Sequence, residues 1–266
     1  MKLGLALRNM GPASRAKVVR DCARAADAAG LDSLWVADHI AIPPDDAEGS
    51  GGRYLDPLAT LAFLAAATER IGLGTGVLNL PYRPPLPTAK WVSTIQELSG
   101  GRLLLGVGTG WMEAEFRALG VPRSRRGRDT DATLAFLHSC FERDEVEAHG
   151  QKFLFSPRPP RPPILVGGAP PHAFDRILRF GDGWMPIGLR PEKLRPLVAQ
   201  LRERAEAAGR PRPEVVTFAS FPAGDPAHAA DLVAAFGESG VDRLIHGTRY
   251  ADLADLEKSI ELLASL

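Results

Sequence analysis

The sequence of 266 residues predicts a closed (β/α)8 barrel, also called a TIM barrel. Eight short apolar runs with strand character alternate with segments of helical periodicity, and no polar linker divides the chain. Four of the runs end in glycine or polar residues. This regular alternation favours a closed barrel over an open doubly wound sheet. We expect one domain over residues 1–266, with loop insertions at the face where the strands end.

Each predicted strand is a short run rich in apolar residues, as expected for strands that are covered by helices. In chain order the predicted strands are 3–7, 33–37, 71–77, 103–107, 164–166, 182–185, 215–220 and 243–245.

The predicted helices share a recognisable start, an apolar face and a stop. In the first one Ser14 can cap the amino end, Val19 and Cys22 belong to apolar positions at helical spacing, and Gly30 suits a left-handed stop. The later helices are predicted over residues 56–68, 86–98, 129–141, 170–180, 191–208, 226–238 and 253–264.

Two segments interrupt the alternation. Residues 42–54 are polar and rich in glycine and proline, so we expect a mobile loop over the active face. Residues 145–153 predict a hairpin that turns at His149 and Gly150. The proline-rich stretch 156–163 follows, and its place between two elements favours a stiff connector over a ligand for a recognition domain.

Composition limits the partners. Lys plus Arg and Asp plus Glu are equal at 32 each, so the overall charge favours neither nucleic acid nor an anionic membrane. No apolar run approaches the ~20 residues of a membrane span, and the first residues are apolar over too short a stretch for a signal peptide. We expect a cytoplasmic protein whose partners are small molecules or copies of itself.

No metal site is predicted. Cys22 and Cys140 fall on predicted helices without Cys-x-x-Cys spacing, so both are interpreted as buried apolar residues. A catalytic metal needs about three converging ligands, and the histidines show no such motif.

Asp38 and His39 form the strongest polar pair, directly after the second predicted strand. Adjacent side chains at a strand end point to opposite sides, so one can brace the loop while the other reaches a substrate. Histidine exchanges protons near neutral pH, which suits general acid or base catalysis. The alternative is that Asp38 caps a turn and His39 lies on a surface loop.

Glycines mark three further strand ends. Glycine at positions 74 and 76 weakens a strand unless a bulge or a close ligand, such as a planar ring, uses the space. The run 106–110 lacks the G-x-G-x-x-G spacing of a dinucleotide site. Residues 167–169 open a helix and could bind a phosphate through backbone N–H groups, or form only a tight structural turn.

Two other groups near the strand ends are candidates. Arg123, Arg125, Arg126 and Arg128 form a basic cluster, which indicates either a solvated loop or a clamp on an acidic ligand. Trp111 stands at a strand end, where its ring could stack on a ligand or wall it off.

In family order, these motifs resemble the bacterial luciferase-like monooxygenase superfamily, and within it the deazaflavin (coenzyme F420)-dependent oxidoreductases. The matching stretches are residues 30–39, 69–78, 81–85, 99–103, 106–111, 166–168 and 181–184.

The resemblance implies a flavin-like ring at the strand ends, with His39 as the catalytic acid or base. Gly76-Val77 matches a site where related deazaflavin enzymes have a non-prolyl cis peptide bond. The implied coenzyme is F420, with FMN and a monooxygenase reaction as the alternative, and the family often forms dimers. The implied cofactor-binding residues are Asp38, Gly76, Val77, Asn79, Gly108, Thr109, Gly110, Trp111, Gly167, Gly168 and Ala169.

The chain also departs from the family pattern. Glucose-6-phosphate dehydrogenases of this family have a catalytic glutamate where Trp111 follows Thr109-Gly110, so that substrate is not expected. The chain looks shorter than typical members around residues 42–54 and at its carboxyl end. These departures leave a non-catalytic flavin-binding barrel as a further alternative.

Overall fold

The computed structural model describes residues 1–221 and 224–266 and confirms the predicted (β/α)8 barrel. Its strands are β1 (Lys2–Ala6), β2 (Ser33–Val36), β3 (Gly72–Thr75), β4 (Leu78–Asn79), β5 (Leu103–Gly108), β6 (Glu145–Ala148), β7 (Gln151–Leu154), β8 (Ile164–Gly167), β9 (Gly183–Met185), β10 (Glu214–Ala219) and β11 (Arg243–His246). The parallel sheet runs in the order β3-β2-β1-β11-β10-β9-β8-β5-β4, and a pairing of β3 with β5 closes the barrel.

The helices surround this barrel and connect its strands. They are α1 (Ala16–Ala28), α2 (Pro57–Ala67), α3 (Pro85–Leu98), α4 (Glu113–Ala118), α5 (Arg126–Glu142), α6 (His172–Phe180), α7 (Pro191–Ala207), α8 (Pro226–Glu238) and α9 (Leu253–Ser265). The predicted helices correspond to all of these except α4, which the sequence pattern did not predict. No helix in the described ranges is long and apolar enough to cross a membrane.

The third predicted strand, 71–77, is wrong in its extent. The strand divides into β3 and β4, both of which pair with β5, through Leu73 with Leu103 and through Leu78 with Val107. Gly76 and Val77 lie between the two pieces and are joined by a cis peptide bond, as the resemblance implies. The two residues therefore form a break in the ladder at the face where the strands end.

The predicted cap of the first helix is also wrong. Ser14 ends a short 3-10 turn, Gly11–Ser14, and its hydroxyl donates to the carbonyl oxygen of Gly11 at 2.7 Å. Helix α1 therefore begins after Arg15 without a side-chain cap. Its predicted stop is confirmed, because Gly30 adopts a left-handed conformation with φ of 77°.

The inside of the barrel contains a small apolar cluster contributed by several strands. Its buried members are Trp35, Leu165, Met185, Val216 and Ile245. The indole of Trp35 occupies the space above Gly74, where an added Cβ would lie 2.3 Å from the ring. The planar ring that packs on this glycine is therefore one of the chain's own side chains.

The two irregular segments differ from each other in how they pack. The hairpin is confirmed, since β6 and β7 pair in antiparallel fashion and turn at His149 and Gly150. The loop 42–54 packs in part against the barrel, since Ser50 is buried and Tyr54 forms a bridge with Met10. Its mobility stays a prediction.

Both cysteines are buried, as predicted. Burial raises the pKa of Cys22 to about 12 and that of Cys140 to about 11, so both thiols stay protonated and unreactive near neutral pH.

Candidate active site

The predicted site residues lie where four strands of the barrel end, on one face of the molecule. His39 follows β2, Gly76 and Val77 separate β3 from β4, Thr109 follows β5, and residues 167–169 end β8. Parallel strands of a barrel all end on the same face, and the loops at that face form the site in barrel enzymes.

Asp38 has a fully buried side chain that is held by Arg83. Two guanidinium nitrogens of Arg83 donate to the two carboxylate oxygens at 2.7 and 2.8 Å. The Asn79 backbone N–H donates to the same carboxylate at 2.8 Å, and the Asn79 side-chain amide donates to the carbonyl oxygen of Asp38 at 3.0 Å. Asp38 and Asn79 therefore brace the ends of β2 and β4, and any part in cofactor binding stays a prediction for both.

His39 turns in the other direction, toward α4. Its Nδ1 atom lies 3.1 Å from a carboxylate oxygen of Glu115, and its side chain is 18% exposed. An ionised carboxylate only accepts hydrogen bonds, so the neutral imidazole carries its proton on Nδ1. This tautomer leaves Nε2 free to accept a proton.

The carboxylate of Glu115 is completely buried and saturated with donors. Besides His39, it accepts hydrogen bonds from the backbone N–H groups of Ile40 at 2.5 Å and Ala41 at 3.1 Å, and from the Tyr82 hydroxyl at 2.9 Å. Burial opposes its ionisation, but these hydrogen bonds outweigh burial and lower the pKa of Glu115 to about 2. Glu115 is therefore an anion at neutral pH that fixes His39 and the first residues of the following loop.

Two aromatic residues frame His39. The Tyr54 ring centroid is 4.9 Å from that of His39, and Trp111 approaches edge-on at 6.3 Å. Trp111 is 66% exposed, which is unusual for so large an apolar side chain, so it stands at the mouth of the site. The position suits a residue that covers a ligand.

A first cavity, of about 470 Å³, opens over the ends of β1, β2, β10 and β11. Its wall includes Trp35, Gly76, Phe218 and Phe221. The volume falls within the range of small-molecule sites, about 300–1,000 Å³, and the mainly apolar wall is typical of them.

A second cavity, also of about 470 Å³, lies where β5 and β8 end. Thr109 and residues 167–169 line it together with Ser124 and Arg126. Gly168 has φ of 109°, a conformation that side chains with a Cβ rarely adopt, and its carbonyl accepts from the Trp184 indole at 2.9 Å. Backbone, hydroxyl and guanidinium donors thus converge on a site suited to an anion.

The remaining predicted residues pack against the protein itself. An added Cβ at Gly108 would lie 2.5 Å from the Val77 side chain, and one at Gly110 would lie 3.0 Å from Phe116. Both glycines therefore allow close packing beneath the site. A direct role for Gly108, Gly110 or Val77 in cofactor binding stays a prediction.

Glu115 is not among the site residues predicted from the sequence. Acidic residues at positions 113 and 115 follow Trp111, and they signal the start of a helix. Only the fold shows that Glu113 points to solvent while Glu115 is buried against the β2 loop. Within the described ranges no group of three His, Cys, Asp or Glu residues could hold a metal ion.

A family model described as luciferase-like monooxygenase matches residues 3–265 of the chain. The chain belongs to this family. Family members are oxidoreductases and monooxygenases, so membership of the luciferase-like family supports an enzyme.

Relatives of this luciferase-like protein include three with informative overlap. An uncharacterised protein of Mycobacterium tuberculosis is 33% identical over 248 residues, covering 85% of this chain and 83% of that protein. The 5,10-methylenetetrahydromethanopterin reductase of Methanolobus tindarius is 28% identical over 252 residues, covering 90% and 73%. An FMNH2-dependent dimethylsulfone monooxygenase of Pseudomonas putida is 32% identical over 157 residues, covering 55% and 43%.

Solved structures share the luciferase-like barrel. Monooxygenase RslO1 from Streptomyces bottropensis has a TM-score of 0.81 at 22% identity, covering 100% of this chain and 98% of that chain. An F420-dependent secondary alcohol dehydrogenase, in complex with an F420-acetone adduct, has a TM-score of 0.79 at 16% identity, covering 98% and 97%. At such identities these similarities show the fold.

Proposed function

We propose that this luciferase-like protein is an oxidoreductase that transfers a hydride between coenzyme F420 and a small organic substrate, within one domain of residues 1–266. The coenzyme, when bound, supplies the ring carbon that gives or takes the hydride. A hydride carries two electrons and one hydrogen nucleus to the substrate carbon. When a carbonyl is reduced to an alcohol, the oxygen must also take up a proton, and His39 is its proposed source.

The contact between His39 and Glu115 carries this proposal. A histidine at a strand end could be a simple surface residue, but a surface residue has no need of a buried carboxylate that fixes its ring and tautomer. Glu115 does this through Nδ1 and keeps Nε2 available. Reduction of a carbonyl takes a proton from Nε2 of the protonated imidazolium, and oxidation of the alcohol gives a proton to Nε2 of the neutral ring, so the arrangement serves both directions.

The second cavity fits the phosphate of a flavin-like coenzyme. Among the described residues, the backbone N–H groups of Gly168 and Ala169 have no protein acceptor. The following residues, Pro170 and Pro171, carry no N–H, so these two amides are the nearest backbone donors before α6. Arg126 adds a cationic group in the cavity wall, and the amino end of α6 favours negative charge.

Other residues of the chain shape the two cavities and shield His39 from water. Trp184 and Gly168 shape the phosphate-binding turn. Gly76 in the wall of the first cavity makes room for the Phe218 ring, because an added Cβ would lie 2.6 Å from that ring. Trp111 covers His39 at the mouth and reduces its contact with water. Holding the substrate in a defined orientation beside a proton donor removes much of the entropic barrier.

A monooxygenase reaction with FMN is the second candidate. The observation that favours it is the identity of 32% to the FMNH2-dependent dimethylsulfone monooxygenase. The overlap covers 55% of this chain, whereas the methylenetetrahydromethanopterin reductase overlaps with 90%, which favours the hydride-transfer proposal.

We include self-association in the proposal. Phe63 on α2 and Trp91 on α3 are exposed aromatic side chains, and the two helices pack side by side. Exposed apolar groups on adjoining elements are common at protein interfaces. Sedimentation equilibrium tests this part: a dimer that Trp91→Glu converts to a monomer supports it, and a monomeric wild-type protein contradicts it.

Equilibrium titration of the purified protein with F420 and with FMN, followed by ring fluorescence, tests the cofactor. We expect micromolar or tighter binding of F420 and weaker binding of FMN. Preference for FMN, with oxygen consumption that depends on substrate, would favour the monooxygenase. Binding of neither coenzyme would contradict both reactions.

A further inference from the structure

The first cavity carries an uncompensated positive charge. Among the described residues of its wall, Arg8 and Arg249 are the only charged ones, and none is a carboxylate. Arg8 follows β1 and Arg249 follows β11, neighbouring strands of the barrel, so the two residues lie on the same side of the cavity wall.

Arg8 is poorly satisfied by the protein. Its Nε atom is buried and has no hydrogen-bond partner within residues 1–221 and 224–266. The one hydrogen bond that its side chain makes there is long, 3.5 Å from Nη2 to the carbonyl oxygen of Gly49. The backbone at Arg8 is nevertheless well placed, because its N–H donates to the Tyr250 hydroxyl at 2.7 Å.

A partly buried guanidinium with an unused donor is costly unless something binds it. Guanidinium donors bind oxyanions best, because the planar fork matches carboxylate and phosphate oxygens. Other partly buried arginines of this protein pair with a carboxylate, as Arg83 does with Asp38 and Arg161 with Asp182. Arg8 differs from these two, because no carboxylate is found among the described residues of its cavity wall.

The rest of the wall restricts the shape of such an anion. The wall includes the half-buried ring of Phe218 and the almost fully buried rings of Trp35 and Phe221. The Phe221 ring stacks on His246 with 5.0 Å between the ring centroids. Burial lowers the pKa of His246 to about 4, so the histidine behind Phe221 is neutral at pH 7 and adds no charge. The cavity offers two cations at one side and an apolar surface at the aromatic rings, with Asn9, Ser220 and Thr248 as the uncharged polar residues of the wall.

We propose that the first cavity is the substrate site and that its ligand is an organic anion, a carboxylate or phosphate attached to an aromatic or other apolar group. The oxyanion is bound by Arg8 and Arg249 while the apolar part lies against Trp35 and Phe218. This inference rests on the proposed function, which makes the ligand a substrate, but the binding itself requires no coenzyme.

The test compares ligands that differ in charge at nearly equal shape. Phenylacetate, phenyl phosphate and the neutral phenylacetamide are titrated into the coenzyme-free full-length protein, and binding is measured by ligand-observed NMR and calorimetry. We expect at least one of the two anions to bind about tenfold or more tightly than the amide, since hydrogen bonds to charged groups are worth more than neutral ones. The anion that binds more tightly shows whether the site prefers a carboxylate or a phosphate.

Variants assign this preference to the arginines. Arg249→Gln removes an exposed cation, and Arg8→Gln removes the half-buried one; each is expected to abolish most of the preference for the anion. Arg143→Gln is the matched control, because Arg143 is exposed at the end of α5 and does not line the cavity. Thermal unfolding of each variant establishes that it is folded, and Arg249→Gln tests the proposal even if Arg8→Gln fails to fold.

Parallel F420 titrations separate the two proposals. Equal affinity for anions and amide, or a preference that survives Arg249→Gln, would overturn the anion site. Loss of F420 binding in the two variants without any anion preference would assign the arginines to the coenzyme and would also overturn it. A preference for anions in a protein that binds no F420 would support the anion site and refute the proposed coenzyme.

Discussion

His39 Nδ1 and Glu115 Oε2 lie 3.1 Å apart and join two parts of the site that are 76 positions apart in sequence. His39 belongs to the loop after β2, and Glu115 belongs to the short helix α4 after β5. Since Glu115 also accepts from the N–H groups of Ile40 and Ala41, it fixes both the imidazole and the start of the loop over the active face.

Replacing His39 tests the proton-transfer role directly. We expect His39→Ala to leave coenzyme affinity unchanged and to reduce kcat by roughly 100-fold or more, the usual contribution of a general acid or base. Steady-state kinetics and a coenzyme titration on the same preparation provide the measurement. Wild-type turnover in the variant would remove His39 from the mechanism.

Glu115→Gln tests the positioning role of the carboxylate. The amide keeps the shape but loses the charge, and it cannot accept all four hydrogen bonds. We expect kcat to fall by about 10–100-fold, somewhat less than on losing the histidine itself, with little change in KM and with an altered pH profile of kcat.

The control for this variant is Glu113→Gln on the same helix. The Glu113 side chain is 66% exposed and its nearest cation, Arg123, is 3.8 Å away, so its loss is expected to change neither kcat nor the pH profile. If both variants keep the wild-type pH profile, Glu115 has only a structural role.

The sequence predicted the barrel well because the pattern of a short apolar strand followed by a helix is repeated eight times. Each βα unit has its own apolar periodicity and its own helix stop in the sequence. An error in one unit, such as the wrongly predicted Ser14 cap, therefore does not affect the prediction of the other units. The division of strand 71–77 was less accessible, because the local pattern of apolar and glycine residues is the same for a strand and for a strand with a break.

The site was predicted only in part, for a physical reason. His39 and residues 167–169 follow strands, and their position is set by local sequence. The partner of His39 is set by the packing of α4 against the β2 loop, a contact between distant segments that periodicity cannot report. Likewise, the sequence could not show that Arg8 lacks a carboxylate partner among the described residues while Arg83 has one in Asp38.

Two buried groups predict how stability depends on pH. For His246 the folded pKa, about 4, lies below its usual 6.5, so the unfolded chain binds a proton first and stability falls as pH drops from 6.5 to 4. For Glu115 the folded pKa, about 2, lies below its usual 4.5, so stability falls again between pH 4.5 and 2. Each loss amounts to about 3 kcal/mol when complete.

Urea unfolding across this pH range separates the two contributions. His246→Gln is expected to flatten the curve between pH 6.5 and 4 only, and Glu115→Gln to flatten it between pH 4.5 and 2 only. A wild-type slope in the upper window that persists in His246→Gln would contradict the assignment to His246.

The buried pair of Asp38 and Arg83 predicts a large stability effect. Arg83→Met leaves the buried Asp38 carboxylate without its partner, and we expect a loss of about 3–5 kcal/mol in the free energy of unfolding. Arg161→Met is the control, because Arg161 forms a similar two-pronged pair with Asp182 at a partly exposed position. Its expected loss is smaller, about 1–2 kcal/mol. The double variant Arg83→Met with Asp38→Asn should recover part of the loss, and equal losses at the two sites would contradict the argument from burial.

Gly74 and Gly237 predict opposite effects of the same substitution. In Gly74→Ala the new Cβ would lie 2.3 Å from the Trp35 ring inside the barrel, so the ring must move and we expect a loss of about 1–3 kcal/mol. Gly237 lies near the end of α8 with no atom within 4 Å of an added Cβ, and Gly237→Ala should gain about 0.5–1 kcal/mol because alanine favours helix. Calorimetry measures both as changes in Tm, at about 2–4 °C per kcal/mol.

Because Trp35 also lines the first cavity, Gly74→Ala should in addition weaken binding of the anion that the cavity prefers, whereas Gly237→Ala should not. A Gly74→Ala variant as stable as the wild type would show that Trp35 does not depend on this glycine for its position.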